Sequence, residues 1–122
     1  MCQNYDPETE HLQLCTLLDF YGDLLNARQR DIMRLFYYED LSLAEISALK
    51  GISRQAVNST VHRAADKLRE FERTLNLVEF FTSTKSLHLN LMAAIKNRDW
   101  DDVELVLKDW QNLEQLHVLE QK

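Results

Sequence analysis

Apolar residues recur at three- and four-residue intervals along nearly the whole chain, and the polar residues between them fall on the opposite side of each repeat. Leu14, Leu17, Leu18, Tyr21, Leu24 and Leu25 predict a first helix that runs to about Asp23, with Asp6 as its N-cap and Pro7 at its first position. Asn26 is the next capping residue, with Gln29 three residues on and able to reach back. A second helix then covers about 27–38, with Ile32, Leu35 and Phe36 inward and Arg28, Arg30 and Arg34 on or near its outer side. Ser42 and Glu45 repeat the capping arrangement at the start of a short helix, about 43–49, whose Leu43, Ile46 and Leu49 point inward. Gly51 stands where the chain must turn sharply, Ile52 plugs the core beside it, and Ser53 caps a fourth helix with the stripe Val57, Val61, Ala64, Ala65 and Leu68. Nothing between Arg54 and Thr82 breaks a helix, so the fourth is expected to be long. The polar tract "TSTKS", 82–86, is the candidate hinge. Leu87, Leu91, Met92 and Ile95 mark a fifth helix. Asp99 caps a sixth, with Val103, Val106, Leu107, Trp110 and Leu113.

Two glycines and one proline in 122 residues leave little punctuation for strands, and the class predicted is all-α. The expected organisation is a helix-turn-helix bundle with its N-terminal helix over 1–82, then a helical hairpin over 83–122 packed on the same core or on a partner subunit. No apolar run approaches the roughly 18–20 residues of a membrane span, and "MCQNYDPETE" has no basic residue to open a secretory signal, so a cytoplasmic protein is expected. Cys2 and Cys15 form no C-x-x-C pair and the four histidines are scattered. Neither a metal site nor a disulfide scaffold is expected, and Cys15 is read as a small hydrophobe of the first helix.

The net charge of −6 argues against a general nucleic-acid binder, but the charge is unevenly spread. Residues 1–25 carry five acids and no Lys or Arg, and 70–122 carry ten acids against six basic residues. Residues 26–69 carry eight basic residues against five acids. That single positive segment contains "SLAEISALKGISRQAV", 42–57, which has the tight turn, the apolar lock and the polar second helix that a helix-turn-helix needs to lay one helix in the major groove. Ser53 and the first-turn N–H groups could hold a phosphate, Arg54 a phosphate or guanine, and Gln55 and Asn58 adenine edges. Ser59, Arg63 and Lys67 follow along the same side, where backbone contacts are expected. Asp66 opposes them electrostatically.

The stretch 24–70, from "LLNARQRD" to "AADKLRE", resembles region 4 of bacterial sigma factors, in which a similar L-x-E-I-x-x-x-x-G-[VI]-S-R segment leads a recognition helix ending in A-x-x-K-L-R. "LLDFYGDLL", "RQRDIMRLFYYEDLSLAEI" and "SRQAV" together resemble more closely the YlxM-type family of small bacterial proteins, over about Leu14 to at least Leu77. The resemblance implies a sigma-like helix-turn-helix and a regulatory or accessory role in the signal recognition particle pathway, beside whose genes the family's genes typically sit. Where sigma recognition helices carry further basic residues this chain has Ala56, Asn58 and Asp66, which implies a small salt-dependent contribution to DNA affinity.

The expected function is therefore a DNA-binding regulator. The alternative is an accessory protein that binds the particle's RNA or GTPase without sequence-specific DNA reading, the basic helix serving as a docking surface. Phe71, Leu75, Phe80, Phe81, Trp100 and Trp110 offer more apolar surface than one small domain needs. They make a homodimer the expected assembly, although the same residues could pack within one chain. With no glycine-rich phosphate loop, nucleophile elbow or metal set, neither an enzyme nor a cofactor or small-molecule substrate is expected.

Overall fold

The computed structural model describes the backbone of residues 10–120 and the side chains of residues 10–116. The expected cap at Asp6 and Pro7 lies outside the described residues. Among those described, the chain is helical throughout and forms two compact units, one ending at Arg73 and the other beginning at Thr74. The expected boundary at 82/83 falls inside a helix.

The first unit is built from α1 (Glu10–Tyr21), α2 (Ala27–Tyr37), α3 (Leu43–Lys50) and α4 (Arg54–Leu75). Among the described residues its core is apolar: Leu14, Cys15, Leu18 and Tyr21 of α1, Leu25, Ile32, Met33 and Tyr37, Ile46 of α3, and the α4 stripe Val57, Val61, Ala64, Ala65 and Leu68 are all buried. Cys15 is disulfide-bonded, contrary to the expectation of a plain small hydrophobe. Tyr21 is enclosed and its hydroxyl donates to Glu72 Oε1 at 2.5 Å, tying α1 to the far end of α4.

Three sequence expectations shift within this unit. The α-helical part of α1 ends at Tyr21, and a single 3-10 turn, Gly22–Leu24, follows. The tighter winding, about 120° per residue, turns Leu25 inward and leaves Leu24 57% exposed. In α2 the buried residues are Ile32, Met33 and Tyr37, with Leu35 and Phe36 only half-buried. This helix is packed from two directions, by α1 and α3, so its apolar face is wider than one stripe. In α3, Leu49 is 63% exposed rather than inward. Ser47 takes the inner position instead, because its hydroxyl donates to the Ile52 carbonyl and closes the turn.

The α3–α4 turn follows the sequence closely. Ser42 and Glu45 form both halves of the capping box, Gly51 adopts φ 67° and ψ 32°, and its N–H bonds to the Ser47 carbonyl at 3.0 Å. A Cβ built on Gly51 would meet nothing within 4 Å, so the demand for glycine there is purely conformational.

The fourth helix does not continue to Thr82. It ends at Leu75, and Asn76 is in the left-handed region at φ 55°. Asparagine is among the few side chains that tolerate this conformation, so one polar residue suffices to separate two helices. "TSTKS" is no hinge: α5 (Leu77–Lys96) runs straight through it. The hydroxyls of Thr82 and Thr84 donate back to the Val78 and Phe81 carbonyls at 2.8 and 2.9 Å, which lets a polar tract stay helical. Asp99 caps α6 (Trp100–Glu120) as expected, its carboxylate accepting from the Asp102 N–H at 3.1 Å. α5 and α6 form the second unit, a helical hairpin in which, among the described residues, only Ala94 and Val106 are fully buried.

Gly51→Ala is expected to lower the unfolding free energy by about 1–2 kcal/mol through backbone strain alone. Leu68→Ala, which opens a cavity in the core, is expected to lower it by about 2–5 kcal/mol. Urea denaturation followed by far-UV circular dichroism measures both. An unchanged midpoint for the alanine at 51 would contradict the left-handed turn.

Candidate nucleic-acid interface

Because the apolar stripe of α4 is consumed by the core, the remainder of its circumference is committed outward. Ser53 caps the helix by accepting the Ala56 N–H at 3.0 Å, and its own hydroxyl proton remains available to a ligand. Arg54, Gln55, Asn58, Arg63 and Lys67 are exposed and Ser59 is half-buried.

These residues do not form one line. Asn58 and Arg63 are separated by about 140° around the helix at 3.6 residues per turn. Asn58 lies on the rim of a cleft of about 290 Å³ that it lines with Glu10, His11, Tyr37, His62 and Arg69, among others. In that cleft burial, then the Glu10 charge, hold the Tyr37 phenol above its ordinary pKa against the opposing pull of Arg69. The neighbouring Tyr38 phenol is likewise raised, by burial and by its hydrogen bond to Asp19. Both hydroxyls are therefore neutral at physiological pH. Ser59 and Arg63 face the other way. They line a second cleft, also of about 290 Å³, with Ala56 and Thr60 of α4 and Asn26, Arg28 and Gln29 at the start of α2.

Sequence reasoning placed Arg28 on the outer side of α2 without assigning it to the site, and did not connect Asn26 and Gln29 with α4. One signal was available. Arg28 sits in the first turn of α2 and Arg54 in that of α4, and neither turn carries an acid, although helix N-termini favour negative side chains. The reciprocal capping expected of Gln29 forms only in half: Asn26 Oδ1 accepts the Gln29 N–H at 2.8 Å, while Gln29 Oε1 is buried with no hydrogen-bond partner. The Gln29 side chain is spent on the wall of the α2–α4 cleft instead.

The ion pairs sort the basic residues of 26–69 into two groups. Arg30 and Arg34 lie 3.9 and 3.5 Å from Asp23, Lys50 pairs with Asp31, and Arg69 bridges Glu10 at 2.6 Å and Asp66 at 3.5 Å. Arg28, Arg54, Arg63 and Lys67 enter no ion pair among the described residues. Asp66, the carboxylate that opposes phosphate binding, is thus partly compensated by Arg69 one turn on.

Of the six apolar residues expected at a partner interface, Phe71 has its ring 6.0 Å from that of Tyr21, tilted by 45°, and is engaged inside the first unit. Leu75, Phe80 and Trp110 are half-buried, and Phe81 and Trp100 are exposed. No helix among the described residues is long and apolar enough to cross a membrane. No group of three potential metal-ligating side chains occurs among them either.

Comparison with known proteins agrees with this architecture. Residues 8–108 match the family model for YlxM / p13-like helix-turn-helix proteins, UPF0122. A UPF0122 protein of Symbiobacterium thermophilum is 46% identical over 66 residues, 54% of this chain and 62% of that protein, so the chain spans less than two thirds of that relative. One from Shouchella clausii is 42% identical over 84 residues, 69% of this chain and 77% of the relative. One from Clostridium botulinum is 34% identical over 89 residues, 73% of this chain and 82% of the relative. A helix-turn-helix whose turn is closed by Gly51, in a chain matched across most of its length, places this protein in the UPF0122 family of YlxM / p13-like helix-turn-helix proteins.

Proposed function

We propose that the protein is a non-enzymatic, cytoplasmic DNA-binding regulator in which α4 is the recognition helix. The observation that carries this reading is the charge sorting. In a chain of net charge −6, four of the eight basic residues of 26–69, Arg28, Arg54, Arg63 and Lys67, lie on α4 or at the start of α2 without a carboxylate partner among the described residues, while Arg30, Arg34, Lys50 and Arg69 are paired. A cation engaged by a carboxylate has already lost part of its pull on phosphate, so within this positive segment the unpaired four have the most to gain from a polyanion.

In this reading Arg54 and Gln55, at the exposed start of α4, meet base edges, and Ser53 adds a hydroxyl and the helix amino terminus to a phosphate. Ser59, Arg63 and Lys67 follow the sugar-phosphate backbone. Asn58 turns away from these residues toward the α1 side, which leaves few side chains for direct base reading. That placement favours, as a second reading, an accessory protein that docks on the RNA or GTPase of the signal recognition particle, the pathway the family resemblance implies. For the RNA, such docking would rest on shape and phosphate contacts more than on base edges.

The protein is proposed to act as a homodimer joined through the hairpin. Among the described residues only Ala94 and Val106 are fully buried in the two helices, which makes a thin seam, and Trp100 of α6 remains 62% exposed. Met92 and Ile95 of α5 and Leu107 of α6 are also exposed. By helical periodicity these four share one face of the antiparallel pair. Joining that face to its copy would give a four-helix bundle, the arrangement in which such hairpins bury an apolar layer. It would also relate two recognition helices by a two-fold axis, as a palindromic site requires.

A mobility-shift titration of the full chain on genomic DNA fragments, repeated at increasing salt, tests the main reading. The parent protein is expected to bind with an affinity that falls as salt rises, and the double variant R54A/R63A is expected to lose retardation. A double variant that shifts DNA like the parent but no longer binds the particle's RNA or GTPase favours the second reading. Sedimentation velocity tests the assembly. The parent is expected to sediment as a dimer and Trp100→Glu as a monomer with unchanged helicity, and a parent that is monomeric at every concentration would sink the dimer.

A further inference from the structure

We infer that the α2–α4 cleft is the seat of one backbone phosphate of the bound nucleic acid, held between the guanidinium groups of Arg28 and Arg63 with the Ser59 hydroxyl as a further donor. The inference rests on the reading of α4 as the nucleic-acid face and extends it to a helix outside the helix-turn-helix. Arg28 and Arg63 come from helices far apart in sequence and line the same cleft of about 290 Å³.

Both arginines lack a carboxylate partner among the described residues. Asp31, which lines the adjoining cleft with Arg28, is engaged by Lys50 and so does not supply one. Two unneutralised guanidinium groups in one concave site repel each other, and an anion between them removes that repulsion while accepting forked hydrogen bonds from each. Ser59 supports the assignment: it lines the cleft and its hydroxyl is not donated to any group among the described residues, whereas that of Thr60 is already donated to the Ala56 carbonyl at 2.9 Å. The consequence is mechanical. A phosphate gripped from α2 as well as α4 pins the recognition helix at a second point on the strand, so its register and angle in the groove are set by the bundle and not by α4 alone.

The experiment is fluorescence-anisotropy titration of the full chain against a duplex DNA and a duplex RNA of equal length over a series of KCl concentrations. The variants are R28A, R28K, R54A and, as a control for bulk charge, K85A on the exposed side of α5. Loss of one phosphate contact lowers the magnitude of the slope of log K against log[KCl] by about 0.9 on B-DNA. R28A is expected to show that loss on whichever duplex fills the cleft, R28K to restore the slope but not the full affinity, and K85A to leave both unchanged. Circular dichroism confirms that each variant is folded. If R28A matches the parent while R54A loses slope, the seat is wrong and the recognition helix stands. An equal loss in K85A would reduce the effect to net charge and overturn the seat. A parent that binds neither duplex overturns the reading of α4 and the seat with it.

Discussion

Burial of Val57, Val61, Ala64, Ala65 and Leu68 against the rest of the bundle sets the rotation of α4 about its own axis, and every functional statement about this protein depends on that rotation. A helix has only one circumference. Once these positions are enclosed, the opposite side of α4, with Gln55, Arg63 and Lys67 on it, is turned to solvent, while Arg54, in line with the apolar stripe, is exposed because it is the first residue of the helix. At about 25 cal/mol per Å² of apolar surface, exposing even two of the enclosed side chains would cost several kcal/mol, a large share of a small domain's stability. The two alanines contribute by their size, since a small side chain at 64 and 65 lets neighbouring backbone come close. The left-handed turn at Gly51 plays the complementary part by setting the direction in which α4 leaves α3.

The electrostatics follow from the same constraint. The amino-terminal end of α2 shares a cleft with α4, which brings Arg28 to the same cleft as Ser59 and Arg63 and leaves Arg30 and Arg34 near Asp23. Three arginines within seven residues of sequence therefore have different fates. Exposed ion pairs of this kind contribute little to stability, commonly below about 1 kcal/mol, so the pairing matters less for folding than for deciding which cations remain for a partner. The positive character of 26–69 is in this sense concentrated by the fold, with α4 and the first turn of α2 keeping what the other elements neutralise.

Each error in the sequence reading has a local physical cause. A continuous helix through 76 is the natural inference where no glycine or proline occurs, yet Asn76 takes a left-handed conformation and ends α4. "TSTKS" looks like a hinge by composition and is helical, because its threonine hydroxyls return to their own helix's carbonyls. Leu49 fits the three-residue repeat and is nevertheless exposed, since the inward position belongs to Ser47, whose hydrogen bond closes the turn. Repeats and compositions describe what a segment prefers, and a single hydrogen bond or a single permitted φ can override them at marginal cost.

What the amino-acid order determined by itself was everything carried by residues near one another in the chain. That covers the all-helical class, the capping of α3 by Ser42 and Glu45, the turn at Gly51, the cap at Ser53, the α4 stripe and the cap at Asp99, because the interactions behind them span five residues or fewer or repeat with the helix. Only the tertiary structure decided which of eight basic residues meet carboxylates, that Arg28 stands with Ser59 and Arg63, and that Asn58 turns toward another cleft. Those outcomes depend on the angles at which helices cross, and crossing angles come from the packing of side chains tens of residues apart, a quantity that no local pattern in the sequence encodes.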